Sequence, residues 1–166
     1  MSVPFIIRPR IPEDRAACLA INIAGWQTAY ADIFTPEEIA GAFDRTIPIT
    51  SSSGEGRGEL LDVFVAEWDD KVVGFITISQ RNDGSGEVGS LYVHPDHQRQ
   101  GVGRSLWMAV IDFLRGQNIE TVTVWTLERG GAVEFYERLG CTRFTVDTIT
   151  IGDHEERTIG LKMPAP

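Results

Sequence analysis

The sequence predicts an α+β protein, a mixed α/β fold in which a sheet of about seven strands is flanked by about four helices. Three observations predict it. Residues 63–67, 72–79 and 87–93 are apolar runs separated by turn signals at Asp69-Asp70 and Asn82-Asp83-Gly84, so three antiparallel strands follow one another. A stretch of helical period, 102–113, lies between the third of these and the strand 121–126, the order of a right-handed parallel crossover. Residues 143–151, Gly152-Asp153 and residues 154–161 then read as a terminal hairpin.

The remaining elements follow in order. Residues 5–8 form a short apolar strand, and Pro12-Glu13-Asp14 opens a helix with proline near its first position and acid in its first turn. Ala17, Ala20, Ile21 and Ala24 recur at helical spacing and give that helix its buried face. Thr35-Pro36-Glu37-Glu38 has the form of a capping box, from which a second helix runs to about Phe43. Residues 46–58 contain Ser51-Ser52-Ser53-Gly54-Glu55-Gly56 and lack apolar periodicity, so a mobile loop is expected. Val102, Leu106, Ala109, Val110 and Phe113 make one stripe of a helix stopped by Gly116, and Ala132, Phe135, Tyr136 and Leu139 give a last short helix ended by Gly140.

A length of 166 residues suits a single domain, 1–166. The N-terminal sequence has no basic segment followed by an apolar core, and no apolar run approaches the roughly 18 residues of a membrane span. The expectation is a cytoplasmic protein that engages no membrane. Cys18 and Cys141 lie in apolar surroundings and read as buried free thiols, and three scattered histidines offer no zinc spacing, so no metal is expected. A formal charge of -9 argues against a nucleic-acid partner. It suits a cationic substrate and equally suits a role in solubility alone.

The chemistry concentrates where the strand ending at Val93 runs into Gln98-Arg99-Gln100-Gly101-Val102-Gly103-Arg104-Ser105. A helix start leaves backbone N–H groups without partners and adds the positive end of the helix dipole. Glycines at 101 and 103 let a phosphate approach those groups, and Arg99 and Arg104 add charge. A diphosphate-bearing cofactor fits. A Rossmann turn does not, because Leu106 stands where the third glycine belongs, and the Gly-Lys-Ser/Thr of a P-loop is missing.

Gln98-x-x-Gly101-x-Gly103 after a strand, Ser90-Leu91-Tyr92-Val93-His94-Pro95 before it, the run from Ala132 to Gly140 and the segment from Trp26 to Tyr30 together resemble the Gcn5-related N-acetyltransferase (GNAT) superfamily. The resemblance covers nearly the whole chain. It implies acetyl-CoA as acyl donor, with the pyrophosphate on the backbone of Gln98, Arg99, Gln100, Gly101, Val102, Gly103, Arg104 and Ser105. It implies a sheet splayed between its fourth and fifth strands, a bulge in the strand 87–93, and pantetheine along Leu91, Tyr92 and Val93. Acetyl transfer to a primary amine needs a base for the amine and an acid for the leaving thiolate. Glu87 stands where many members keep the base, and Tyr136 where a phenol serves as acid beside the cofactor sulfur. Glu87 equally reads as a strand residue paired across its hairpin, and Tyr136 as a core tyrosine.

Trp26, Tyr30 and Asp32 are the candidate acceptor contacts, the two aromatics serving equally as core. Arg129 departs from the asparagine common in the family and stands as a candidate contact to pantetheine, while Cys141 replaces a phenylalanine. His94 and His97 read as turn residues. The acceptor is an amine of a small molecule, peptide or protein, and family habit adds a homodimer. The alternative function is a non-catalytic acyl-CoA-binding or sensor module on the same fold.

Overall fold

The structure, a computed structural model, describes residues 4–51 and 58–165. Its elements are β1 (Phe5–Pro9), α1 (Arg15–Ala29), α2 (Pro36–Asp44), β2 (Ile49–Ser51), β3 (Glu59–Trp68), β4 (Lys71–Gln80), β5 (Gly86–Val93), α3 (Val102–Gly116), β6 (Thr121–Leu127), α4 (Ala132–Arg138), β7 (Thr142–Ile151) and β8 (His154–Pro164). The class is the predicted one, with eight strands where about seven were expected. The added strand is β2, antiparallel to β7 through Ile49↔Ile151 and Ser51↔Ile149, which corrects the expectation of a loop from residue 46 onward. Three exposed residues are too short a run to signal a strand, and the pairing comes from a partner a hundred residues away. Residues 52–57 of the expected loop lie outside the described residues.

The chain forms two compact units, one of Met1–Gly25, Arg57–Val122 and Pro164–Pro166, the other of Trp26–Gly56 and Thr123–Met163. In the first, the strand order β1-β3-β4-β5 is antiparallel throughout. Alternation along β3 and β4 gives this sheet two buried faces. Val63, Val65 and Phe75 meet Cys18 and Ile21 of α1. Phe64 meets Phe113 of α3 with ring centroids 5.7 Å apart, and a Cβ on Gly74 would touch Val102 and Leu106 at 3.3 Å. The buried stripe of α1 is Cys18, Ile21 and Gly25 with Ala17 and Ala24 half-buried beside it, so the predicted face holds at Ile21 and is rotated away from Ala20, which is exposed. Alanine is small enough to sit on either side, and the β-branched and sulfur-bearing residues decided the orientation.

The turns carry the expected chemistry. Asp69 and Asp70 take positive φ angles of 50° and 59°, the requirement of a tight two-residue hairpin. At the next hairpin Asp83 accepts from the backbone N–H of Ser85 at 2.9 Å, and Gly84 has φ 86°. In the second unit β7 and β8 pair as the predicted terminal hairpin, in the order β6-β8-β7-β2. Its core joins Tyr30, Phe34, Ile39, Leu127 and Ile151. The capping box at α2 is present, with Thr35 Oγ1 accepting from Glu38 N at 3.1 Å and Glu38 accepting from Thr35 N at 2.9 Å.

Candidate functional site

In the first unit, β5 carries a bulge at Gly89, since Thr77 pairs with Ser90 and the next rung joins Ile78 to Val88. The extra residue inverts the alternation of faces along the strand. Gly86 faces α3, where a Cβ would come within 2.9 Å of Leu114, which turns Glu87 toward the α1 face. Beyond the bulge Tyr92 also faces α1, its ring lying where a Cβ on Gly25 would be, 2.4 Å from Cδ1. An odd- and an even-numbered residue, Glu87 and Tyr92, thus share one face only because of Gly89. Leu91 and Val93 are half-buried and lie on the α3 side of the strand.

Past Val93 the backbone turns through Pro95–His97, fixed by His94 N donating to Val73 O at 2.7 Å. His94 and His97 sit in this turn, as the sequence suggested. Two glutamine side chains then tie the loop to itself. Gln98 Nε2 donates to Val93 O at 3.1 Å, and Gln100 Nε2 donates to Asp96 O at 3.2 Å. Gln98 therefore has a positioning contact with the end of β5 that its spacing in the motif did not reveal. Arg99 has φ 62° and Gly101 φ 86°, so the chain enters α3 through two left-handed residues. Gly101 is the N-cap of α3, no side chain caps it, and no acid stands in the first turn. The N-terminal amides of a fifteen-residue helix consequently lack side-chain acceptors and retain the dipole's positive end. Arg99 and Arg104 are exposed beside them.

Glu87 is buried at 8% exposure and pairs with Arg81, its neighbour across the hairpin. The pairing read from sequence as one alternative is present, though on a buried carboxylate instead of an exposed one. Arg81, just beyond β4, is the contact sequence reasoning did not single out, and its position six residues before Glu87 in a hairpin is the available signal.

The second unit brings together other predicted residues. Trp26 and Tyr30 meet edge to face at 5.2 Å, and Trp26 also contacts Phe34 and Phe43 at 6.2 and 5.4 Å. Tyr136 on α4 is buried, and its phenol is pushed well above the ordinary range by that burial and then by the neighbouring Tyr30 and Cys141. A predicted acceptor contact and the predicted acid are thus neighbours. Asp32 stands apart, exposed in the turn after α1. Arg129 is engaged with Glu156 of β8, Nε donating to Oε2 at 3.1 Å and Nη2 to Oε1, while His154 Nε2 lies 3.0 Å from the same carboxylate. Glu156 and His154 escaped sequence reasoning because they are 27 and 25 positions from Arg129 in a charged hairpin with no distinguishing pattern. Cys18 and Cys141 are free and buried, as read from sequence. Among the described residues no group of three His, Cys, Asp or Glu is placed to hold a metal, and no helix is long and apolar enough to cross a membrane.

Known proteins resemble this chain in sequence and fold. The chain is 26% identical over 158 residues to the uncharacterized N-acetyltransferase YuaI of Bacillus subtilis (strain 168), covering 92% of this chain and 88% of that one. It is 34% identical over 93 residues to the mycothiol acetyltransferase of Thermobispora bispora, covering 52% of this chain but only 32% of that protein. Its fold matches a GCN5-related N-acetyltransferase from Rhodopseudomonas palustris with a TM-score of 0.74 at 24% identity, over 99% of this chain and 97% of that one. It also matches the PaiA N-acetyltransferase of Thermoplasma acidophilum, solved in complex with coenzyme A, with a TM-score of 0.70 at 16% identity over 99% of each chain. The model of the acetyltransferase (GNAT) family matches residues 24–141, more than half of the sequence and including the bulged strand and the loop that follows it, and the chain belongs to that family.

Proposed function

We propose that this acetyltransferase transfers the acetyl group of acetyl-CoA to a primary amine by direct attack. The observation that carries the reading is the β5–loop–α3 segment, where uncapped helix amides, two left-handed residues and two arginines form a receptor for a pyrophosphate. The CoA complex of the PaiA relative supports the choice of ligand. In this reading Gln98, Arg99, Gln100, Gly101, Val102, Gly103, Arg104 and Ser105 hold the pyrophosphate, and pantetheine pairs with the backbone of β5 at Leu91 and Val93, past Tyr92. The two units, interleaved along the chain, act as one N-acetyltransferase domain.

The reaction needs a neutral amine, a stabilised oxyanion and a protonated leaving group. Glu87 takes the proton of the ammonium, directly or through water. The amine nitrogen then attacks the thioester carbonyl, the tetrahedral intermediate collapses with rupture of the C–S bond, and Tyr136 gives its proton to the departing thiolate. The extra proton of the attacking nitrogen returns to the Tyr136 oxygen, directly or through water, leaving amide and thiol while Glu87 releases its proton to solvent. Burial keeps the Tyr136 phenol protonated at neutral pH but also makes it a weaker acid than a free phenol, so the proposed role rests on the place of Tyr136 in the family's motif. Trp26, Tyr30 and Asp32 contact the acceptor. Arg129, bound to Glu156, is free to serve pantetheine only if that pair opens.

For the acceptor, the mycothiol acetyltransferases among the relatives favour a small amine over a protein chain. The family's habits add a homodimer, which sedimentation against the monomer mass of 18.4 kDa tests, and the cytoplasm is the proposed compartment. One observation favours a second reading, a non-catalytic acyl-CoA sensor: the proposed base is already neutralised by Arg81. The deciding experiment is calorimetry with acetyl-CoA followed by a panel of amines read by thiol release. Binding with turnover supports the enzyme, binding without turnover on any amine supports the sensor, and absence of binding overturns both.

A further inference from the structure

The stretch that leads into α4 is fastened to β8 at successive residues. Glu128 N donates to Arg157 O at 3.0 Å, and the Glu128 carboxylate meets Arg157 Nε at 3.3 Å. Arg129 next engages both oxygens of Glu156, which is 8% exposed. His154 Nε2 lies 3.0 Å from the same Glu156 Oε1 that Arg129 Nη2 engages, and His154 in turn lies 3.4 Å from Glu38 and edge-on to Phe34 at 4.7 Å. A carboxylate buried with a planar guanidinium fork fixes geometry more than it adds stability.

What it fixes is the next residue. Gly130 N closes a tight turn onto Leu127 O at 3.2 Å, and its backbone lies so close to Tyr30 that a Cβ there would stand 2.9 Å from Cε1. Gly131, with φ 77°, then begins the helix that carries Tyr136, whose buried phenol is pushed up by burial and then by nearby Tyr30 and Cys141.

We infer that Glu156, steadied by His154, is a positioning residue for the Tyr136 phenol, acting through Arg129 and the contact of Gly130 with Tyr30. The inference rests on the reading of Tyr136 as the general acid. Loss of the carboxylate releases Arg129, lets Gly130 lift from the Tyr30 ring and admits water to the phenol.

The test needs no acceptor in its first arm. The chain has three tyrosines, Tyr30, Tyr92 and Tyr136, so tyrosinate absorbance of the folded protein can be assigned by substitution. Tyr136→Phe identifies the late-ionising step by removing it. Glu156→Gln is expected to bring that step down by at least about one pH unit, and Arg129→Lys to reproduce the change, the double variant adding little. A late step unmoved in both folded single variants overturns the inference, and Arg129→Lys alone decides it if Glu156→Gln fails to fold.

The second arm measures kcat with spermidine and glucosamine as probes. Glu156→Gln is expected to lower kcat about tenfold with little change in KM for acetyl-CoA, and to have no effect in the Tyr136→Phe background. Additive losses would overturn positioning. An unchanged kcat in Tyr136→Phe itself would instead sink the general-acid reading, leaving the titration to judge the positioning separately.

Discussion

The two regions that carry candidate chemistry are built in opposite ways. In the loop from β5 to α3 the proposed cofactor-binding groups are main-chain amides, placed by a left-handed Arg99 and Gly101 and two glutamines that reach carbonyls four and five residues away. Around α4 the candidate groups are side chains placed by partners distant in sequence, Tyr136 beside Tyr30 and Arg129 on Glu156. A backbone site tolerates changes in most side chains and fails when its conformation is denied. A side-chain site fails when any one long-range partner is lost.

The largest effect therefore belongs to the backbone of the loop. Gly101→Val forces a β-branched residue into φ 86°, and Gly103→Glu puts a carboxylate where the pyrophosphate is proposed to bind. Each is expected to weaken coenzyme A binding by roughly a hundredfold or more in calorimetry, and to abolish the rise in Tm that acetyl-CoA gives the parent chain. Arg99→Ala and Arg104→Ala should each cost far less, about tenfold or under, because they supply screened surface charge. Arginine losses as large as the glycine losses would break the contrast.

That contrast also explains what was legible in the sequence. Gln98, Gly101 and Gly103 recur at a spacing that the geometry itself imposes, so the strand–loop–helix segment could be read with its borders nearly in place. The partner of Glu87, though not its pairing across the hairpin, and the contact of Arg129 could not. Glu87 has its partner in a hairpin where several charges compete, and Arg129 finds Glu156 only once β8 has formed. β2 was hidden for the same reason, since Ile49-Thr50-Ser51 becomes a strand through β7. On α1 the predicted face held at Ile21 and failed at Ala20, because alanine is nearly neutral to burial.

Tyr136→Phe is the next effect in size and probes the side-chain region. It is expected to lower kcat by roughly tenfold or more, with coenzyme A affinity nearly unchanged. Because Tyr136 is buried, a Tm loss of several degrees without a kcat loss would return it to the core and leave the second region purely structural.

Glu87→Gln is expected to slow turnover by roughly tenfold, an effect that must be separated from the ion pair it breaks. Removing one partner of a buried pair costs about 3–5 kcal/mol by leaving the other charge uncompensated. The double variant Glu87→Gln with Arg81→Gln removes both charges and should recover much of the lost Tm. If Glu87 is the base, the double variant remains slow. Recovery of kcat together with Tm would assign Glu87 to the hairpin and favour the sensor reading.

The smallest effect tests whether the first region depends on long-range side chains at all. Arg8 Nη1 donates to Asp14 Oδ2 at 2.7 Å and Nε to Glu67 Oε2 at 2.8 Å, and Asp14 also accepts from Ile11 N at 2.9 Å. The Arg8 bond, opposed by burial, holds the Asp14 carboxyl below its ordinary value of 3.8. A carboxyl depressed in the folded state contributes stability above its unfolded pKa and loses it as pH falls through the folded one. Tm is therefore expected to hold from neutral pH to about 5 and then to decline, with Asp14→Asn lowering Tm at pH 7 by about 2–4 °C and flattening the acid decline. Coenzyme A affinity should not change in that variant, because Asp14 steadies β1 against β3 while the pyrophosphate loop is held by its own backbone. A parallel loss of affinity would show that the loop, too, is set from a distance.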